Sequence, residues 1–381
     1  MNDKIRNQGS DPNTPAAVSC LVGEFSSLVG QTRRRRAGFE YLVRIRNLIP
    51  HIGSVLLAVA SVSVQAQTLM VWGDDANGQI SAAPHEDLKA VADGGAFLSL
   101  ALRWDRTPVL WGSGPIGPPP IPDALAAEEF YAVAMGRDDA VLIRLDGTLA
   151  AFGRNAPVTS VPAGSYVEVA VASVHAVALA DNGTLVAWGS DNYPPPNGAL
   201  TGLLNAPAGG GFVAVAARVL YSLALREDGT LYGWGHGANG TNVLEGWTLN
   251  PENPGTYYIP NQAFKAIAAG NVHALAIRRD GTVTGWGNGT GGALQPPTHV
   301  RFKAVSAGWG FSIGLSTDGT LWGWGTPFKS PFAAQPWTFA SQGWTRYANT
   351  EQFYIPRERF KSISAGAFHI EAITAGRGGL R

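Results

Sequence analysis

The side chains that could do chemistry are few and widely spread. Beyond residue 66 the sequence carries six histidines, His85, His175, His236, His273, His299 and His369, while the single cysteine of the chain, Cys20, lies before that point. Imidazoles titrate near neutral pH and bind metals, but a metal needs them to converge. His175, His273 and His369 instead occupy one place in a repeating pattern, which spaces them around the molecule and points to a hydrogen-bonding role in the framework. The aspartates of Asp146-Gly147, Asp228-Gly229, Asp280-Gly281 and Asp318-Gly319 have the form of turn residues, not of paired catalytic carboxylates. Gly209-Gly210-Gly211 is not followed by Lys-Ser or Lys-Thr, so it makes no phosphate loop, and no nucleophile elbow or metal-ligand spacing is present. The sequence therefore predicts no enzyme activity, no cofactor and no metal. What remains is recognition by loop residues carried on a rigid frame.

That frame shows itself as self-similarity. An aromatic residue followed by glycine recurs at Trp72-Gly73, Trp111-Gly112, Phe152-Gly153, Trp188-Gly189, Trp234-Gly235, Trp286-Gly287 and Trp324-Gly325. The intervals are 39, 41, 36, 46, 52 and 38 residues, the size of a propeller blade. A short apolar segment ending in a small residue begins at Ala90, Ala132, Glu168, Ala214, Ala266, Ala304 and Ser362. Asp-Gly or Asn-Gly pairs between two apolar runs predict two-residue hairpins. The strand that follows alternates, with Leu231, Gly233 and Gly235 on one face and Tyr232 and Trp234 on the other, so the glycine face is expected to receive bulky side chains of a neighbouring blade. Residues 68–73 are the end of a unit without its beginning, and residues 361–379 are a beginning without its end. Joined, they complete one unit. The expected fold is all-β, a seven-bladed β-propeller closed by pairing of the N-terminal strand into the last blade, which removes exposed sheet edges.

Composition agrees. With 48 Gly, 25 Pro and only 15% charged residues the chain is too rich in turns for long helices, and 45% hydrophobic residues with 12 Trp exclude disorder. The formal charge of the whole chain is +0, and residues 67–381 hold 20 basic and 24 acidic residues, a net −4 that argues against a nucleic-acid partner. Residues 1–66 read as an export leader. Arg33 to Arg36, Arg44 and Arg46 precede the apolar run Ile52 to Val64, which is too short to span a bilayer and ends in Val64-Gln65-Ala66. A translation start at Val43 makes Val43 to Ala66 an ordinary signal peptide; the alternative is an uncleaved anchor. The propeller, residues 67–381, is expected to be exported to the periplasm or the medium, free of disulfides, without a membrane span after cleavage, and monomeric.

Residues 266 to 287, AIAAGNVHALAIRRDGTVTGWG, carry in order a small apolar strand, a glycine, a histidine, Ala-Leu, Asp-Gly and Trp-Gly. This unit resembles the repeat of the regulator of chromosome condensation family, and the likeness extends over about residues 68 to 379. The resemblance implies a seven-bladed propeller. It also implies exchange-factor activity toward a small GTPase, which needs a cytosolic or nuclear setting that an exported, acidic chain lacks. In layout the chain is similar to secreted β-lactamase-inhibitory propellers, which bind through loops between the first and second strands of their blades. On that likeness the protein-binding rim comprises Phe97, Arg137, Asp138, His175, Tyr221, Asn271, Trp309 and Phe368.

Two long connectors, residues 236–261 and 326–359, are too aromatic for disorder and either extend the blades or bind ligand. They supply an alternative site at Trp337, Trp344 and Tyr347, where sugar rings could stack. The expected function is an exported, non-catalytic, protein-binding propeller, one form of which is an inhibitor of a secreted or periplasmic enzyme. The alternative is a glycan-binding or surface-adhesive propeller. The partner is accordingly another exported or surface protein, or a glycan.

Overall fold

The computed structural model describes residues 67–84, 88–94, 97–113, 117–191, 202–235, 243–328 and 337–375. The expected leader, residues 1–66, and His85 and His236 lie outside them. Among the described residues no helix is long and apolar enough to cross a membrane.

Among the described residues the strands form seven separate antiparallel sheets. Blade 1 is Leu88–Gly94, Leu98–Arg103 and Pro108–Gly112. Blade 2 is Phe130–Met135, Asp139–Arg144 and Leu149–Gly153, and blade 3 is Tyr166–Val171, His175–Ala180 and Leu185–Gly189. Blade 4 begins with Phe212–Arg218, Tyr221–Arg226 and Leu231–Gly235. Blade 5 is Phe264–Ala269, His273–Arg278 and Val283–Gly287, and blade 6 begins with Phe302–Ala307, Phe311–Ser316 and Leu321–Gly325. Blade 7 joins Phe360–Ala365 and His369–Thr374 to the N-terminal strand Leu69–Gly73. That strand runs in register from Leu69 opposite Ile373 to Gly73 opposite His369, so the two half-units share one sheet.

The first strand of each blade touches the first strand of the next, and that of blade 7 touches that of blade 1. The seven lie about a common axis. Small side chains, among them Ala92, Ala134, Ala170, Ala216, Ser306 and Ser364, line a cavity of about 100 Å³ there. Each first strand also carries a one-residue bulge at its second position, at Lys89, Tyr131, Val167, Val213, Lys265, Lys303 and Lys361. A bulge sharpens the local twist of the strand that bears it. The hairpins between second and third strands form as the turn residues demand: Asp146, Asn182, Asp228, Asp280 and Asp318 each accept the N–H of the threonine two positions on. In blade 1 Asp105 does the same, and Arg106, at φ 70°, stands where the others have glycine.

The connectors explain the small and large faces of the third strands. Four third-strand tryptophans donate their indole N–H to the connector that leads into their blade: Trp111 to Gln79 O (3.1 Å), Trp188 to Val158 O (2.8 Å), Trp234 to Leu203 O (3.0 Å) and Trp324 to Ala293 O (2.9 Å). The third-strand glycine faces the connector that leaves. A Cβ on Gly233 would meet Leu244 at 2.5 Å, on Gly285 Leu294 at 2.7 Å, and on Gly323 Phe339 at 2.2 Å. The expectation that a neighbouring blade fills the glycine face is thus corrected: the blade's own outgoing connector fills it, because it must cross that face to reach the next blade.

The two long connectors extend their sheets. Thr256–Ile259 and Thr248–Leu249 add two strands to blade 4, and Gln352–Tyr354 and Thr345–Arg346 add two to blade 6. Trp247, Trp337, Phe339, Trp344 and Phe353 are core, while Tyr257, Tyr258, Tyr347 and Tyr354 are half-buried. Trp337 and Trp344 are 7% and 4% exposed and pack with Phe339 and Phe353 between blades 6 and 7, while Tyr347 stacks on His299 at 4.3 Å. The alternative connector site therefore offers no tryptophan face to a sugar.

Candidate partner-binding rim

Antiparallel geometry puts all the loops between first and second strands at one end of the axis and all the Asp-Gly hairpins at the other. The first residue of each second strand stands opposite the glycine of the aromatic-Gly pair, as in His175 opposite Gly189, Tyr221 opposite Gly235 and Phe311 opposite Gly325. At Gly325, φ is 89° and a Cβ would come within 2.7 Å of Gly310 O, so no other residue fits.

Three rim candidates of the sequence point inward at this position or beside it. His175 is fully buried, and its Nε2 meets Ser222 Oγ of the next blade at 2.8 Å. His273 does the same with Ser312 (2.8 Å), and His369 with Ser99 (2.9 Å). Ser312 directs its hydroxyl proton to Ala293 O (2.9 Å), so we assign the proton between the pair to His273 Nε2. Burial pushes both His175 and His273 down to about 4, with the Asp191 carboxylate opposing it at His175. Tyr221 is buried as well, its hydroxyl shared between Gly270 O (2.9 Å) and His273 O (2.8 Å), and burial pushes the phenol up. Phe368 is 1% exposed. Asp139 fills the same place in blade 2. Burial raises its carboxyl, although the N–H groups of Asn155 (2.7 Å) and Arg154 (2.8 Å) hold it back.

The partnership was written in the sequence. Histidine opens the second strand in blades 3, 5 and 7, and serine is the second residue of that strand only in blades 4, 6 and 1, the blades that follow. The other blades have Ala140, Ala176, Ala274 and Ile370 there.

The remaining candidates face the surface. Half-buried Phe97 stacks on Phe368 (5.8 Å), Phe368 meets half-buried Trp309 (5.3 Å), and Trp309 meets Phe328 (5.8 Å), which is 37% exposed. These four rings run across blades 1, 7 and 6. The Phe328 N–H donates to Trp309 O (3.0 Å), which fixes the row's outer end. The sequence placed Phe328 in a connector and not on the rim. Its signal was its position three residues beyond Gly325, where a third strand delivers the chain to this end.

Next to blade 1, in blade 2, Arg137, 68% exposed, pairs with Asp138 at 3.4 Å. Asn271 accepts from Arg218 Nε at 2.9 Å. Beside Arg218, Val219 sits at φ 43°, a strained conformation for a β-branched residue. Among the described residues no group of three or more His, Cys, Asp or Glu could hold a metal.

The regulator of chromosome condensation (RCC1) repeat matches residues 264–293 and 302–328, which are blade 5 and the three main strands of blade 6. The chain is an RCC1-like β-propeller. Its fold is that of Prp20p from Saccharomyces cerevisiae, described with its binding properties to Gsp1p and histones, at TM-score 0.62 and 16% identity over 82% of this chain and 92% of that one. Human WBSCR16 aligns at TM-score 0.59 and 15% identity over 82% and 100% of the two chains. The ectodomain of the Arabidopsis thaliana receptor kinase ACR4 aligns at 0.52 and 16%, over 76% and 92%. At these identities the likeness is one of fold. None of the curated proteins matches the RCC1-like propeller by sequence.

Proposed function

We propose that this propeller is an exported, non-catalytic protein that binds another exported or surface protein through the rim carrying Phe97, Trp309 and Phe328. The observation that carries the reading is the row of four touching rings across three blades, part exposed and rigidly mounted. Aromatic anchors of this kind supply most of the free energy of protein interfaces. The charged pair Arg137 and Asp138 in the neighbouring blade 2 would set orientation more than affinity. Similar propellers support a protein partner: Prp20p is described with binding properties to Gsp1p and histones, and with Kap60 bound. Export rests on the leader read from residues 1–66. Inhibition of a secreted or periplasmic enzyme is one form of this function. The adhesive, glycan-binding alternative through Trp337 and Trp344 has no support in their burial and is not retained.

The test is affinity capture from the periplasm and medium of the producing cell, followed by titration of the purified partner. Phe97→Ser with Trp309→Ser is the diagnostic variant, because Phe368 is buried and its loss would also disturb packing. The expected result is a partner held by the wild type and released at least tenfold more readily by the variant. A genuine partner bound equally by both moves the site away from this rim.

A further inference from the structure

Charge is divided unevenly along the chain. Residues 67–261 carry 8 basic and 19 acidic residues, and residues 262–381 carry 12 basic and 5 acidic ones. Blades 1 to 4 are therefore acidic and blades 5 to 7 basic. Within the basic part, cations collect at the hairpin end of the axis, opposite the aromatic rim. The bulged position holds Lys265, Lys303, Lys361 and Lys89 in blades 5, 6, 7 and 1, against Tyr131, Val167 and Val213 in blades 2 to 4. The residue just before the first strand adds Arg301 in blade 6 and Arg359 in blade 7. Their stems lie over the hairpin glycines of the preceding blades: a Cβ on Gly281 would be 3.1 Å from Arg301 Cδ, and one on Gly319 would be 3.3 Å from Arg359 Cδ. The two arginines thus stand one blade apart, on either side of the blade 6 hairpin.

A pocket of about 400 Å³ opens between them. Thr317 and Asp318 of the hairpin form one side, and His299, Trp322 and Tyr354 form a wall of rings, with Trp322 stacked on Tyr354 at 5.1 Å and met edge-on by His299 at 5.3 Å. Arg301 Nη1 donates to Thr298 O (3.2 Å) and Val300 O (3.4 Å), and Arg359 Nη1 donates to Glu358 O (3.1 Å). Backbone carbonyls hold both guanidinium groups, and among the described residues neither is within ion-pair distance of a carboxylate, although Arg301 faces the charge of Asp280 and Arg359 that of Asp318. Asp318 is held in its own hairpin by Ser316 and Thr320.

We propose that this pocket binds an acidic sugar, a uronic acid unit of an anionic polysaccharide. Arg301 and Arg359 receive carboxylates, Thr317 and Asp318 take ring hydroxyls, and half-buried Tyr354 lies against the sugar ring with buried Trp322 packed behind it. Asp318 decides between anions. A fixed carboxylate accepts hydrogen bonds from hydroxyls but repels the denser charge of a phosphate group, so the lining suits a hydroxyl-rich ligand with one charge per ring. Lys303, exposed beside the pocket, and Lys265 in the next blade extend the line of positive charge along which further units of the same chain lie. The site is at the opposite end of the axis from the aromatic rim and does not rest on the rim's function.

Calorimetric titration of the intact protein with tetragalacturonate, with uncharged galactotetraose and with inorganic phosphate tests it. Tetragalacturonate is expected to bind with an affinity that falls as salt rises, and the other two at least tenfold more weakly. Arg301→Gln and Arg359→Gln are each expected to weaken binding about tenfold, the loss of one charge-assisted hydrogen bond, without lowering the melting temperature. Lys303→Gln, on the open surface, weakens it about threefold and serves if an arginine variant fails to fold. Trp309→Ser leaves it unchanged. Galactotetraose or phosphate binding as tightly as the uronate overturns the proposal. So does undiminished uronate affinity in the folded glutamine variants.

Discussion

Acid should loosen this protein through two particular histidines. His175 and His273 are buried, each engages a serine of the next blade through Nε2, and each has an Nδ1 with no partner. Burial holds both at about 4, against 6.5 for an exposed ring. Between pH 6.5 and 4 the unfolded chain therefore takes up protons that the folded chain refuses, and stability falls as pH falls. Above pH 6.5 both rings are neutral in either state and the contribution is constant. Linkage gives a loss of about 2 kcal/mol for each ring at pH 5 relative to pH 8, and about 4 kcal/mol for the two. That is a large part of the roughly 5–15 kcal/mol that holds a typical domain folded.

Other groups act elsewhere. Asp105, Asp146 and Asp280 are held below the ordinary carboxylate value by hydrogen bonds from their hairpin threonines, so they lose their contribution only at lower pH. Asp139, raised by burial, takes up its proton in the folded state above the ordinary carboxylate value and so adds stability as pH falls there, opposite in sign to the histidines. His369 has the Glu371 carboxylate 3.7 Å from its Nε2 and is left unaltered. The assay is urea unfolding followed by tryptophan fluorescence at pH 8, 7, 6 and 5, for wild type, His175→Gln, His273→Gln and the double variant. Glutamine can reach the serine with its side-chain amide but does not titrate. The wild type should lose about 4 kcal/mol across the range, each single variant about half of that, and the double variant little. A double variant that tracks the wild type, or a wild type that is equally stable at pH 7 and pH 5, refutes the reasoning.

Four further outcomes are expected from urea unfolding at neutral pH. Gly325→Ala forces a Cβ to within 2.7 Å of Gly310 O at φ 89° and should cost about 2–4 kcal/mol. Trp234→Phe removes the donor to Leu203 O, 3.0 Å away, and should cost about 1–3 kcal/mol. Val219→Gly relieves a strained φ of 43° and should raise stability by about 1 kcal/mol. Trp344→Ala should cost about 3–5 kcal/mol, because the ring is core, and leave uronate affinity unchanged in the folded fraction.

Most of the frame could be read from local chemistry. Aromatic-Gly pairs, Asp-Gly turns and the two half-units at the ends are each set by a few adjacent residues, and the structure places all of them as strand ends, hairpins and a shared sheet. The hairpin of blade 1 escaped notice because Arg106 takes the left-handed position that glycine marks elsewhere. The rim was harder, since a loop position does not say which way a side chain points. His175 and Tyr221 share a register with the loops but are drawn inward by partners in the next blade, Ser222 and the carbonyls of Gly270 and His273. Trp337 and Trp344 looked available because their connector is long, yet length here serves to add strands and cover a glycine face. The arginine-flanked pocket assembles three segments distant in sequence, His299 to Arg301, Ser316 to Trp322 and Tyr354 to Arg359. No local pattern announces it.

Thr374 N–H donates to Thr68 O, and the Thr68 N–H in turn donates to Thr374 Oγ1 across 306 positions of the chain. Strand Leu69–Gly73 is the first of the described strands, yet its sheet neighbour among the described residues, His369–Thr374, is the last of them. Six blades can each form from contiguous residues, while the seventh needs both ends of the described chain. The final joining is a slow, long-range step, because the entropy of bringing distant segments together must be overcome before any contact rewards it. Until then that blade offers an open edge, into which the corresponding strand of a second molecule fits as well as its own. Crowded synthesis should therefore yield strand-exchanged oligomers, and a circular permutant that encodes blade 7 as one continuous stretch should be spared them.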